Sequence, residues 1–206
     1  MVTVANRFDA PGCLKALTVI EADLNQLALA LPEAQFHAPP RTGGWSVGHC
    51  IEHLVLTGHA FVSKWDFALK GAVANNGRGT WTSPYRWWQR RMLGLMEPPY
   101  KVRIKAKQSL VPFSRPSKEE TIRRFLSMHR DFARAVDATR GLDARGTRVQ
   151  SPFVSWIWYE LGFSFDFALA HERRHLWQAW EVRRRLLDDL RDSPLTLRRS
   201  PTMGEF

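Results

Sequence analysis

Apolar residues recur at helical spacing over four stretches of the chain. Between residues 10 and 31, Leu14, Leu17, Leu24, Leu27 and Leu31 follow one another at steps of three, four or seven. That spacing lays them along one stripe of an amphipathic helix, which Pro32 stops. A loop rich in Pro and Gly follows (Pro39, Pro40, Gly43, Gly44), and Ser46 then stands where an N-cap belongs. It opens a second helix, predicted to about Lys70, whose broad apolar face carries Val47, Ile51, Leu54, Val55, Phe61, Val62, Trp65 and Leu69. Ser117 with Glu120 three residues on has the form of a capping box, and the helix it opens bears Ile122, Phe125, His129, Phe132 and Val136 on one stripe. A fourth helical run begins near Trp156 or Leu161 and continues to about Arg191.

Between Gly71 and Pro116 the pattern breaks down. Asn75-Asn76-Gly77 reads as a turn, and Tyr85 to Met96 as a short aromatic helix ended by Pro98-Pro99. The alternating Val102, Ile104 and Ala106 read as an extended stretch with no strand partner evident in the sequence. Four apolar stripes that must bury one another predict an all-α four-helix bundle with a long excursion between the second and third helices. Residues 1–192 are expected to form this one domain, and 193–206, with Pro194, Pro201 and Gly204, a C-terminal tail.

Composition agrees with a single well-filled core: 44% of the 206 residues are hydrophobic and 24% charged. No run approaches the roughly 18 apolar residues of a membrane span, and no basic segment followed by an apolar one opens the chain. A cytoplasmic protein without membrane contact is the expectation. Cys13 and Cys50 are too few for a disulfide framework and fit reduced thiols. The formal charge of +10 raises the question of nucleic acid. Its excess gathers in Lys101–Lys107, Arg183-Arg184-Arg185 and Arg198-Arg199 without a nucleic-acid motif. It reads as a solvated basic face that leaves attraction for an anionic ligand open.

The chemistry lies in the histidines. His171 and His175 are four residues apart on the last helix, hence roughly 40° apart around it and about one turn along it, within reach of one metal ion. A third ligand would have to come from elsewhere, and His49, His53, His59 and His129 are the candidates. His171-Glu172-Arg173-Arg174-His175 also fits the H-E-x-x-H pattern of zinc proteases. No His or Gly follows at metzincin spacing, however, and nothing predicts the accompanying sheet, so the protease reading fails. Glu172 remains a candidate general base, set against a plain role as a solvated charge.

Gly44-Trp45-Ser46-Val47-Gly48-His49-Cys50-Ile51-Glu52-His53-Leu54, taken with His171-Glu172-Arg173-Arg174-His175-Leu176-Trp177-Gln178, resembles the DinB/YfiT superfamily of metal-binding four-helix bundles. In that family a Trp-Ser or Trp-Thr pair opens the second helix, a His-Leu follows within two turns, and H-x-x-x-H-x-x-Gln closes the triad. Residue by residue, the resemblance implies His53, His171 and His175 as ligands of a divalent metal, with Gln178 at the family's Gln. His49 is left to line the pocket or cap the first turn, and His129 to face the metal cavity or make a hydrogen bond in the core. The resemblance further implies a metal-dependent hydrolase, or an S-transferase using a low-molecular-weight thiol, acting on a small molecule that is anionic or thiol-containing. Histidine ligands do not distinguish zinc, nickel and iron. The alternative is a non-catalytic metal-binding or stress-associated bundle working as a homodimer. It draws on the abundance of Trp81, Trp87, Trp88, Trp156, Trp158, Trp177 and Trp180, a residue type enriched at interfaces.

Overall fold

The computed structural model describes residues 6–74, 79, 82–99 and 105–191. Four long helices form the bundle: α1 (Ala10–Leu29), α3 (Val47–Ala74), α5 (Lys118–Asp137) and α6 (Leu161–Arg191). Two shorter helices accompany them, α2 (Glu33–His37) and α4 (Trp87–Met96). Short strands form two antiparallel pairs. β1 (Arg7–Asp9) pairs with β2 (Thr82–Pro84), and β3 (Arg148–Gln150) with β4 (Trp158–Glu160).

Local chemistry explains the ends of these helices. Pro11 sits in the first turn of α1, where its missing N–H costs no helical bond. Ser117 Oγ accepts from the amide of Glu120 at 3.2 Å and caps α5, while the Glu120 carboxylate turns to Arg123 instead of closing the box. At α4 the side chain of Gln89 reaches back and accepts from the Arg86 amide at 2.7 Å. Its own amide donates to Glu160 at 3.1 Å, which ties α4 to β4.

Contacts along the helices fix their directions. Phe8, just before α1, stacks on Phe165 near the start of α6, and Asp23 further along α1 accepts from Trp180 Nε1 at 2.8 Å, so α1 and α6 run the same way. Glu21 of α1 meets His129, while Ala28 and Leu31 meet Lys118, so α5 runs against α1. Glu52 meets Arg124 and Trp65 meets Phe132, which makes α3 and α5 parallel neighbours. The side of α3 where it meets α5 leaves no space at Gly58, where an added Cβ would collide with Met128. The connection from α3 to α5 must therefore travel back along the length of the bundle. This is the physical reason for the excursion. Part of it is anchored, since β2 pairs with a strand that precedes α1 and α4 packs on α6.

The described excursion holds more order than its sequence pattern indicates, and the loop after α1 contains the short helix α2. The second helix runs on to Ala74, and the last one begins at Leu161, the later of its two expected starts. The 75–77 turn, Trp81, most of the 102–106 stretch and the tail 193–206 lie outside the described residues. Cys13 and Cys50 are both buried and unlinked. Among the described residues no helix is long and apolar enough to cross a membrane. Trp87 and Trp156 are exposed, whereas Trp65 is fully buried.

Candidate metal centre

α3 and α6 pack side by side, and their facing stripes bring three imidazoles together in the bundle interior. One nitrogen from each of His53, His171 and His175 lies within 4.8 Å of the others. His53 and His171 are buried, and His175 is half-buried. His53 stands on α3 less than two turns from its start, and His171 and His175 are one turn apart on α6. Their ring centroids are 4.6 Å apart for His53 and His175, 4.6 Å for His171 and His175, and 5.3 Å for His53 and His171.

Aromatic side chains enclose the cluster. Trp45 lies 5.0 Å from the His53 ring and stacks on His175 at 5.9 Å. Phe153, on the β3–β4 connection, lies 5.4 Å from His171. The crossover segment adds a polar contact: His53 Nδ1 donates to the carbonyl of Leu110 at 2.7 Å. That bond fixes the tautomer and leaves the Nε2 lone pair to face the cluster, as is usual for a metal-binding imidazole.

All three histidines are held neutral. Burial is the main reason that the pKa of His53 is lowered and that of His171 lies well below the ordinary histidine value. In His171 the neighbouring His175, His53 and Arg174 add to the effect. His175 is pushed down to about 3, again mainly by burial and then by His53 and Arg174. Gln178 sits beside His175 and offsets a little of this, but its amide is not placed to bond Nδ1, which is buried and unpaired. Neutral imidazoles that repel a further proton, one of them with an orphaned nitrogen, are a donor set suited to a divalent cation.

Other candidate residues take different places. Glu172 is next to His171 in sequence but about 100° round the helix from it. It is buried against His129, with Oε2 3.2 Å from Nε2 of that ring, and is not among the clustered histidines. The other ring nitrogen of His129, Nδ1, is 3.1 Å from Glu21 Oε1. Burial lowers the pKa of His129, but the charge and hydrogen bond of Glu172, then those of Glu21, outweigh it and raise it overall. Between two carboxylates the ring donates from both nitrogens as imidazolium and joins α1, α5 and α6 at the bundle centre. His49 lies one turn before His53, with its amide bonded to Ser46 Oγ at 3.2 Å and Nδ1 2.8 Å from the same oxygen. His59 is exposed and apart. The Leu110 carbonyl and the Phe153 wall had no signal in the sequence, because both arrive on irregular segments. Trp45 was visible as part of the motif.

A four-helix bundle with an interior three-histidine cluster is the class that this geometry defines. The sequence profile of the DinB superfamily matches residues 16–179, and the chain belongs to that superfamily. Among solved structures the chain is similar to YfiT from Bacillus subtilis, described as a probable metal-dependent hydrolase with an unusual four-helix bundle topology. The two are 16% identical, with a TM-score of 0.54 over 86% of this chain and 87% of that one. No curated protein matches the chain.

Proposed function

We propose that His53, His171 and His175 hold one divalent metal ion and that the protein is a metal-dependent enzyme acting on a small molecule. The observation that carries this reading is the convergence of three neutral imidazoles, one oriented by a backbone carbonyl and one with an unpaired buried nitrogen. A divalent ion with three protein ligands supplies Lewis-acid chemistry, lowering the pKa of a water or thiol and polarising a substrate group.

Hydrolysis and thiol transfer both fit such a centre, and the chain's own residues favour the second. Glu172, adjacent to His171, is committed to His129, and Glu52, adjacent to His53, is bonded to Arg124 at 2.7 Å. Neither is placed to take a proton from a water at the cluster. Transfer of sulfur from an already ionised low-molecular-weight thiol to an electrophile requires no such base. The side chains' part is then to hold the ion, to keep the site dry with Trp45 and Phe153, and to provide positive potential through Arg174, which already acts on His171 and His175.

Elemental analysis of protein purified without an affinity tag tests the first part. About one equivalent of metal is expected in the wild type, and much less in His53→Ala, His171→Ala or His175→Ala. Full occupancy in all three variants would remove the triad. A panel of thiol-transfer and ester or amide hydrolysis reactions tests the second part. A loaded protein inactive in both would leave the non-catalytic metal-binding reading.

A further inference from the structure

The three clustered histidines are shut in. His53 is 2% exposed and His171 6%, so a small molecule does not reach these two rings while the walls around them stay in place. His175 alone of the three is partly open to solvent, and it lies on the side that Trp45 covers. We propose that Trp45 is a door to the cluster, whose indole swings outward on Gly43 and Gly44 and uncovers His53 and His175 together. Admission of a substrate through this door rests on the function proposed above; exposure of the histidines does not.

The backbone before Trp45 is suited to turning. Gly43 and Gly44 have φ of +78° and +108°, a region that residues with a Cβ rarely enter. An added Cβ would meet nothing within 4 Å at either position, so the conformation itself, and not a close neighbour, calls for glycine. Residues 41–44 are all exposed, between a buried Pro40 and a buried Ser46. The Gly43 amide donates to the Pro40 carbonyl at 2.8 Å and the Arg41 amide to Asp189 at 3.2 Å. Beyond these, Gly44 and Trp45 make no hydrogen bond among the described residues, and that includes the indole N–H. Their dihedrals can change without breaking one. Movement would stop at Ser46, whose Oγ accepts from the His49 amide at 3.2 Å and so keeps the start of α3 in place.

The other two walls are tied down. Phe153 and Val154 donate their amides to Ser151 Oγ at 3.2 and 3.3 Å, Tyr159 bonds the same oxygen at 3.1 Å, and the Phe153 ring packs on Phe61. The Leu110 carbonyl is held by His53 at 2.7 Å, and its side chain is buried. Trp45 is held by packing alone. Because it touches one histidine of α3 and one of α6, a single displacement opens both halves of the cluster.

The test begins with the full chain freed of metal by dialysis against a chelator. Modification of His53, His171 and His175 by diethyl pyrocarbonate near neutral pH is timed, each residue being located by tandem mass spectrometry. His53 should react slowly in the wild type and roughly tenfold faster in Trp45→Ala. Gly44→Ala keeps the ring but strains the closed backbone, and should quicken His53 by roughly threefold or more, a response that a fixed wall would not give. Phe153→Ala should quicken His171 and leave His53 within about twofold, as should Trp87→Ala on the exposed side of α4. In zinc-loaded protein, transfer of the metal to excess chelator should accelerate in Trp45→Ala and Gly44→Ala alike. Unchanged His53 rates in both of these variants, or a larger rise at His53 in Phe153→Ala than in Trp45→Ala, would overturn the proposal. Faster modification in both variants of a protein that holds no metal would uphold the door and overturn only the function proposed above.

Discussion

Toward the C-terminal end of α3 the bundle is filled with rings. Trp65 packs against Phe132 at 4.4 Å, Phe165 at 4.6 Å and Phe61 at 5.4 Å, and its only polar atom is satisfied by Ser164 Oγ at 2.8 Å. Toward the N-terminal end, beginning at the bundle centre with the Glu21–His129–Glu172 network, the same helices bury the three clustered histidines and the Glu52–Arg124 pair. Apolar burial at the first end contributes stability without condition. Each polar group at the second end carries a desolvation cost that its partner must offset, so the stability there depends on protons and ligands. The fold is secured at one end, which allows the other to carry buried polar groups.

Perturbing the aromatic end should have the largest effect. Trp65→Ala opens a cavity between α3, α5 and α6 and removes the indole N–H donor from Ser164, whose hydroxyl keeps its bond to the Leu161 carbonyl, and should cost about 3–5 kcal/mol in urea unfolding. Folded protein that remains should keep its affinity for metal. At the polar end, His129→Leu leaves Glu21 and Glu172 facing each other without a cation and should cost about 3 kcal/mol. Adding Glu172→Gln should recover part of this, and a double-mutant cycle without such recovery would mean that the network is not a coupled unit.

The pH response separates the two polar clusters by sign. Below about pH 6.5 the unfolded chain binds protons that folded His171 and His175 refuse. Metal-free protein should therefore lose stability as the pH falls from 6.5 toward 3, with His175 alone accounting for roughly 2 kcal/mol at pH 5. His129 works in the opposite direction: its pKa is raised in the fold, so its contribution is complete below 6.5 and fades as the pH rises through the folded value. Chemical denaturation across pH in wild type and His175→Ala checks this, since the variant should lose less stability in acid. The smallest change is expected from His175→Ala itself at neutral pH. Removing an already unpaired buried nitrogen should alter metal-free stability by no more than about 1 kcal/mol, while abolishing the rise in Tm on adding metal.

The features legible in the sequence were those written in local spacing. Leucine steps of three and four marked α1, Ser117 marked the start of α5, and the pairing of His171 with His175 followed from helical geometry alone. His53 was chosen over His49, His59 and His129 by the family motif, since spacing within one helix says nothing of which helix lies beside it. What stayed hidden depends on long-range packing. Nothing local shows that α3 and α5 run parallel, that residues 7–9 supply the partner strand for 82–84, or that Glu172 faces His129. The Leu110 carbonyl was invisible for a simpler reason: every residue has a backbone carbonyl, and only the path of the chain brings this one to His53.

That path follows from the parallel arrangement of α3 and α5. Antiparallel neighbours would be joined by a tight turn, and no segment would pass over the histidine cluster. Here the described parts of the returning chain are anchored on the four helices by β2 and by the buried Tyr85, Leu93 and Met96, and the irregular stretches between such anchors tolerate change better than the helices do. Yet this segment supplies the Leu110 carbonyl to His53. In evolutionary terms, the topology sets the part of the molecule most open to drift directly beside the buried histidine cluster, so the surroundings of the cluster can diversify while the helices that carry it are kept.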